Sequence, residues 1–321
     1  MHSNRKGDVM LKYVLKRLGY ILVTLWVIVT CTFFMMKNLP GTPFDAERFS
    51  IMTPQQQERV LEMYGLNDSL PMQYVKYIKN MLKGDLGTSF TYVNQDVSKV
   101  ITGRLGPSAL IGIQAVLIGL AIGLILGILA AWKHNSGIDY FTMILAVLGV
   151  SVPNFVAAAL LQYYIGLKWG ALPVGFWTGW KCSVLPSIAL SFSATAMVAR
   201  FMRTEMLDVL DQDYIVTARA KGLSQMKVLM RHAVRNSILP VVTILGPIVV
   251  NLMTGSLAVE NIFSIPGIGS LFVDCIKAND YPVIMGITIF YAAFYMLIVL
   301  LVDLAYSLID PRIRLSKGKE S

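Results

Sequence analysis

The sequence predicts an all-helical integral membrane protein: six transmembrane helices, both ends in the cytoplasm, and a small helical cap on the outer face after the first span. Three observations predict it. The 321 residues are 55% apolar and only 15% charged, with a mean hydropathy of +0.60, which suits a polytopic membrane chain and not a soluble domain. Six windows offer the roughly 20 mostly apolar residues that a crossing demands, at 18–36, 108–132, 140–168, 185–202, 239–259 and 282–304. The cations are also uneven. With the N-terminus inside, the inner segments hold 17 of the 28 Lys and Arg, and the short outer loops 169–184 and 261–281 hold one each. The eight in the long outer segment are largely exempt from the positive-inside bias. Topology and anionic lipid therefore account for the net charge of +9, and nucleic-acid binding is not needed.

The inner N-terminal segment, 1–17, brings Lys12, Lys16 and Arg17 up to the first window. That window is too long for a signal-peptide core and no small-x-small site follows it, so it is expected to be a retained span. The residues before Cys31 lack the small side chains that lipoprotein processing requires.

The outer region, 37–107, has its own order. Thr53-Pro54-Gln55-Gln56 reads as an N-cap, a proline at the first helical position and a capping-box glutamine. The helix should reach Tyr64 and end at Gly65. Pro71 opens a second helix with Tyr74, Ile78 and Leu82 on one face and Lys76, Lys79 and Lys83 around the rest, stopped by Gly84-Asp85-Leu86-Gly87-Thr88.

Residues 108–304 hold the remaining five spans. In the third, Pro153 removes a backbone donor and is expected to kink the helix without splitting it. Arg200 and Arg203 are placed at the inner end of the fourth, where a helix C-terminus and lipid headgroups favour cations. Glu260 and Asp303 fall near span ends and read as interfacial. Asn154, Asn251, Thr254 and Ser256 are polar positions within spans; they could line a solute path or bond between helices. Cys182 and Cys275 share the predicted outer face, as a disulfide or as two free thiols. A cytoplasmic tail, 305–321, closes the chain.

The polar insert 205–239 between the fourth and fifth spans is the most informative stretch. Asp213 suits a helix N-terminus, Tyr214 to Lys221 continue that helix, and Gly222 is placed to end it. A second helix follows from Ser224 to about Arg235, with Lys227, Arg231 and Arg235 on one face and Met226, Leu229 and Met230 opposite. A basic helix lying on lipid would share this composition. The first helix, however, is too short and small-sided to bury much in a bilayer. Its Ala218, Ala220 and Gly222 allow close backbone approach, which suits docking into a soluble partner.

Catalysis finds no support. The histidines, His2, His134 and His232, are never paired at metal-ligand spacing, and no phosphate-binding Gly-rich loop is present, so no catalytic or metal residue is assigned. A stand-alone secondary transporter is the competing class. It should show inverted repeats and ionisable pairs in mid-span, and the windows show neither.

Ala218-Arg219-Ala220-Lys221-Gly222 resembles the EAA loop of binding-protein-dependent ABC importer permeases. Further stretches resemble the oligopeptide/dipeptide permease subfamily: Asn38-Leu39-Pro40-Gly41-Thr42-Pro43-Phe44, Tyr64-Gly65-Leu66, Gly84-Asp85-Leu86-Gly87-Thr88-Ser89-Phe90, Ser151-Val152-Pro153-Asn154-Phe155, Phe263-Ser264-Ile265-Pro266-Gly267-Ile268-Gly269 and Asp310-Pro311-Arg312. The likeness runs from Met10 to Arg314. Thr217 replaces the glutamate that names the loop, and Arg219 its second alanine. The resemblance implies a type I ABC importer subunit in a bacterial cell membrane, taking oligopeptides or dipeptides, or nickel chelates or another small solute through the same architecture. It implies four partners besides the bilayer: a second homologous permease, two cytoplasmic P-loop ATPases, which would hold the ATP and Mg that this chain does not, and an extracytoplasmic binding protein. The ATPase-coupling residues it implies are Asp213, Tyr214, Ala218, Arg219, Ala220, Lys221, Gly222 and Leu223. It also implies that the Phe263–Gly269 stretch is a re-entrant or gate-side loop contacting the binding protein, where the residues alone would equally give a tight surface turn shaped by Pro and Gly.

Overall fold

Helices account for most of the backbone in the computed structural model, which describes residues 2–38, 49, 51–63, 65–92, 95–253 and 256–309. In chain order they are α1 (His2–Lys37), α2 (Pro54–Met63), α3 (Leu70–Leu82), α4 (Val97–Trp132), α5 (Gly137–Ser151), α6 (Asn154–Leu161), α7 (Val184–Leu210), α8 (Asp213–Ala220), α9 (Arg235–Met253), α10 (Leu257–Ile262), α11 (Ile268–Lys277) and α12 (Tyr281–Ile309). No strand occurs among the described residues. Five stretches are long and apolar enough to cross a membrane, and α5 with the α6 segment makes a sixth if the bent pair is one span. Tyr64, the Pro40–Phe44 motif, Thr254 and Asp310-Pro311-Arg312 lie outside the described residues.

The chain divides into two compact units, 1–106 with 268–296 and 107–267 with 297–321. In the first, Phe33, Val97, Ile268, Leu271, Ile284 and Ile287 are buried together. The capping box forms as expected: Thr53 N–H donates to Gln56 Oε1 at 2.9 Å, and Gln56 N–H to Thr53 Oγ1 at 3.4 Å. Gly65, at φ 66°, ends α2. In α3, Tyr74 turns inward, sharing a 2.7 Å hydrogen bond with Thr30 Oγ1 of α1 and an edge contact with Phe33. Leu82 does not join that face; it is 79% exposed, and Tyr77 packs there in its place.

Asp280 organises the outer turns of this unit, a role its place in a short Asn-Asp turn did not announce. It is fully buried and accepts from Ser89 Oγ at 2.5 Å, Phe90 N–H at 3.1 Å and Thr91 N–H at 3.0 Å. One carboxylate thus satisfies three donors of a loop that has no strand to pair with. The neighbouring Cys275 is buried, and that burial, helped by the Asp280 and Asp274 carboxylates, pushes its thiol up to about 12. All three cysteines are free thiols.

The second unit is built on α7, in which Leu185, Ala189, Ala194, Val198, Met202 and Met206 are buried. Helix α4 approaches it through Gly119, Gly123 and Gly127, one glycine per turn. A Cβ on Gly123 would stand 2.7 Å from Val198 Cβ and 2.9 Å from Thr195 O, and one on Gly127 would stand 2.6 Å from Ala199 O. Small residues at four-residue spacing permit this backbone contact where lipid supplies no hydrophobic drive. Gly123→Leu is therefore expected to prevent accumulation of folded protein, read as loss of heat-resistant, monodisperse material after detergent extraction; Gly103→Leu, in open space on the same helix, should be tolerated.

Helix α4 begins at Val97, ahead of the apolar window at 108–132, and carries Pro107 inside it; α9 likewise carries Pro240 and Pro247. One expectation about the spans is corrected. At Pro153 the chain breaks, with 100° between the two helices, instead of kinking. Val152, forced out of the helical region by the following proline, is extended at φ −80°, ψ 118°, and the new helix starts at Asn154. The pair still runs from one end of the unit to the other. At its start Asp139 is bonded to Arg203, and Glu205 just beyond accepts from Ser237 near the start of α9. In its second half, Gln162 donates to Ile262 O, past the far end of α9. Those contacts suit a broken span better than a loop that returns to its own side.

Candidate coupling loop and its supports

After α7, residues 211–234 fold into a short helix and a return. Helix α8 keeps Asp213 in its first turn, where the helix dipole favours an anion. Ile215 and Ala218 turn inward and bury against Val228, with Val209 and Leu210 of α7 packed on them. Ala218 thus underlies the loop instead of facing outward. Asp213, Tyr214, Arg219, Ala220, Lys221, Gly222 and Leu223 are all exposed. Tyr214 accepts a 3.0 Å hydrogen bond from Asn236 Nδ2, which ties the helix to the start of α9.

The stop at Gly222 forms as expected. Gly222 sits at φ 77°, its N–H donates to Arg219 O at 3.0 Å, and Leu223 N–H reaches back to Ala218 O at 3.3 Å. These are the two bonds of a Schellman cap. A Cβ on Gly222 would meet nothing within 4 Å, so the only internal objection to a side chain there is the left-handed backbone.

The return helix differs from expectation. Gln225–Lys227 is α-helical, Val228–Val234 is a π-helix and α9 follows without a gap. The wider π turn rotates the faces, so Leu229 is buried with Val228 and Ala233 while Met226 and Met230 are exposed. Nothing in residue spacing signals a π segment. The same holds for Gln162–Lys168, which places Gln162 to donate to Val174 O at 2.6 Å and Ile262 O at 2.7 Å.

Beneath the loop is a buried clamp. Asp139 is 2% exposed. It accepts from Arg203 Nε at 2.6 Å and Arg203 Nη2 at 2.8 Å, and from Asn135 N–H at 3.0 Å, with His134 Nδ1 at 3.1 Å. Arg203 is therefore an ion-pair partner seven residues before the end of α7, not a cation at its C-terminus. Glu260 is corrected too: it is 2% exposed and accepts from Ser108 Oγ at 2.7 Å. Both lie within the second unit.

Of the polar span positions, Asn154 is half-buried at the start of α6, Asn251 is exposed on α9 and Ser256 precedes α10. Among the described residues no cluster of three or more His, Cys, Asp or Glu is arranged to hold a metal.

The sequence profile described as "Binding-protein-dependent transport system inner membrane component" matches residues 123–315, the part that contains α7, α8 and α9. Its companion, described as the N-terminal part of the same membrane component, matches 10–107. The chain belongs to the binding-protein-dependent transport system inner membrane component family. Curated relatives of this permease match over nearly their full length. The dipeptide transport system permease protein of Lactococcus lactis subsp. cremoris is 46% identical over 95% of this chain and 100% of its own. The dipeptide permease of Bacillus subtilis is 43% identical, over 96% and 99%, and the oligopeptide permease of Salmonella typhimurium 40% identical, over 95% and 100%. Among solved structures, an amino acid ABC transporter matches with a TM-score of 0.50 at 20% identity, covering 67% of this chain and 94% of that one; this likeness concerns the fold. The permease is thus a multi-pass protein of the bacterial plasma membrane and not itself an enzyme.

Proposed function

We propose that this chain is one permease subunit of an ATP-driven importer of dipeptides or oligopeptides. It forms half of the translocation path beside a second, homologous permease, with two cytoplasmic P-loop ATPases beneath and an extracytoplasmic binding protein above. The observation that carries the reading is the exposed, Schellman-capped helix α8, whose outer surface is formed by Tyr214, Arg219, Ala220, Lys221, Gly222 and Leu223. It is short, small-sided and pinned from below by Ile215 and Ala218, so a load applied to it passes into α7 and α9. The names of the relatives support the peptide substrate, and the cation bias supports both termini inside.

In mechanism, ATP binds and is hydrolysed with Mg on the partner ATPases. Closure of those subunits favours one state of the permease pair through differential contacts at α8. The role of α8 is to be held; that of α7 and α9 is to move with it. Asn154, Asn251, Thr254 and Ser256 are proposed to face the path or the second permease, because polar groups in hydrocarbon require such partners.

Gentle-detergent purification of the chain from its native membrane tests the reading. A second permease and P-loop ATPases are expected to co-purify with vanadate-sensitive ATPase activity. A lone chain that transports peptide in liposomes without ATP would refute it.

A further inference from the structure

Helix α7 carries two arginines one turn apart with different surroundings. Arg203 is closed on Asp139. Arg200, nearer the middle of the apolar stretch Trp180–Leu210, is exposed, and no carboxylate pairs with it among the described residues. It lies in an open groove of about 230 Å³ between α7 and α9, lined by Met197, Phe201, Thr204 and Ile244. The nearest acids on α7 are Glu205 and Asp208, beyond Thr204, and α9 contains none. A guanidinium at the inner end of a span favours a counter-charge, and the described residues supply none.

The walls of the groove are the Met197 thioether, the Phe201 ring, the Thr204 hydroxyl and the Ile244 side chain, and its one charge is a planar fork that matches a carboxylate or a phosphate with two parallel hydrogen bonds. We infer that this groove is a subsite for the C-terminal carboxylate of the transported peptide, with Arg200 binding the carboxylate and Met197, Phe201 and Ile244 receiving the last side chain. The inference rests on the peptide-permease reading. Helices α7 and α9 flank the loop that carries α8, so a ligand that bridges them bears on the elements that transmit the ATPase stroke. A lipid phosphate is the rival source of negative charge, and the test separates the two.

Phe201→Trp places a reporter in the groove wall. The nucleotide-free complex carrying it is reconstituted in phosphatidylcholine nanodiscs, without binding protein, and titrated with dileucine and with dileucine amide. A saturable change in Trp emission is expected with the free acid. The amide should bind roughly tenfold or more weakly, the loss expected of one charge-assisted pair. Arg200→Gln should erase that preference and Arg200→Lys should keep part of it. The subsite is overturned if acid and amide titrate alike, if neither gives a response, or if Arg200→Gln leaves the preference intact. It is equally overturned if added phosphatidylglycerol abolishes the response, which would assign Arg200 to lipid. Uptake of the same dipeptide by the complete wild-type importer is measured alongside. Uptake without a groove response sinks the subsite alone, whereas no ATP-driven uptake of any peptide sinks the permease reading itself.

Discussion

Gly222→Arg is expected to reduce ATP-driven peptide uptake to background while the permease still inserts and accumulates. Two effects combine. The first is conformational: the residue sits at φ 77°, where a side chain with a Cβ costs about 1–2 kcal/mol. That cost is small beside the stability of a folded domain, and α8 retains Ile215 and Ala218 as anchors. The second is steric and external. Nothing in this chain lies within 4 Å of a Cβ at Gly222, so the arginine side chain projects from the tip of the loop into the space a docked ATPase would fill.

Three substitutions separate these effects. Gly222→Asn, which tolerates the left-handed region, should transport near the wild-type rate. Gly222→Ala bears the backbone strain with little bulk and should transport several-fold more slowly, in line with about 1 kcal/mol. Gly222→Arg should be inactive, with the ATPases no longer co-purifying. The measurement is uptake in proteoliposomes, normalised to permease in the membrane, with ATPase recovery on the same samples. Equal losses for Ala and Arg would place the whole effect in the backbone. Normal transport by Gly222→Arg would remove α8 from the coupling role.

What could be read from sequence divides along a physical line. The capping box at Thr53 and Gln56 and the glycine stops at Gly65 and Gly222 were legible because each is fixed within a few residues of chain, by side chains or φ values that few residue types supply. The apolar windows were legible because hydrocarbon thickness sets their length. Helix α8 was legible for the same local reasons, but its inward face was not: Ala218 is turned in by Val228, ten residues on, across a turn and a π segment. The glycine stripe of α4 had a readable spacing, at 119, 123 and 127, that only a pattern search for small residues would have used. Asp139, Asp280 and Glu260 were missed for a different reason. Each is a lone acid near a turn, and its meaning depends on a partner far along the chain: Arg203, Ser89 and Ser108. Local chemistry gives no clue to such pairings. The break at Pro153 was half legible: proline signals a disturbance, but whether a helix bends or restarts depends on what its second half packs against.

The Asp139–Arg203 pair sets up the second large effect, because Asp139 is buried, Arg203 is mostly so, and the two are bonded to each other. Asp139 is 3% exposed at its side chain and Arg203 20%, and the guanidinium binds both carboxylate oxygens. Removing one member leaves an uncompensated charge, which costs about 3–5 kcal/mol at buried pairs, while replacing both by apolar groups of similar size is often neutral. Asp139→Leu and Arg203→Met are therefore each expected to lower the yield and thermal stability of detergent-purified permease severely. The double variant should recover most of the loss, although Asn135 N–H, which donates to Asp139 at 3.0 Å, still loses its acceptor. Thermal unfolding of all four proteins closes the cycle. Additive losses would show that the pair is not energetically coupled. Recovery of stability without recovery of uptake carries more information, since it would mean that the rigid tie between the 133–136 turn and α7 is needed for movement and not for folding. That tie joins the start of the broken span to the helix that leads into α8, so a displacement of α8 that drags α7 must also drag α5. An apolar pair in its place restores packing but not the two directional hydrogen bonds that fix the angle between α5 and α7.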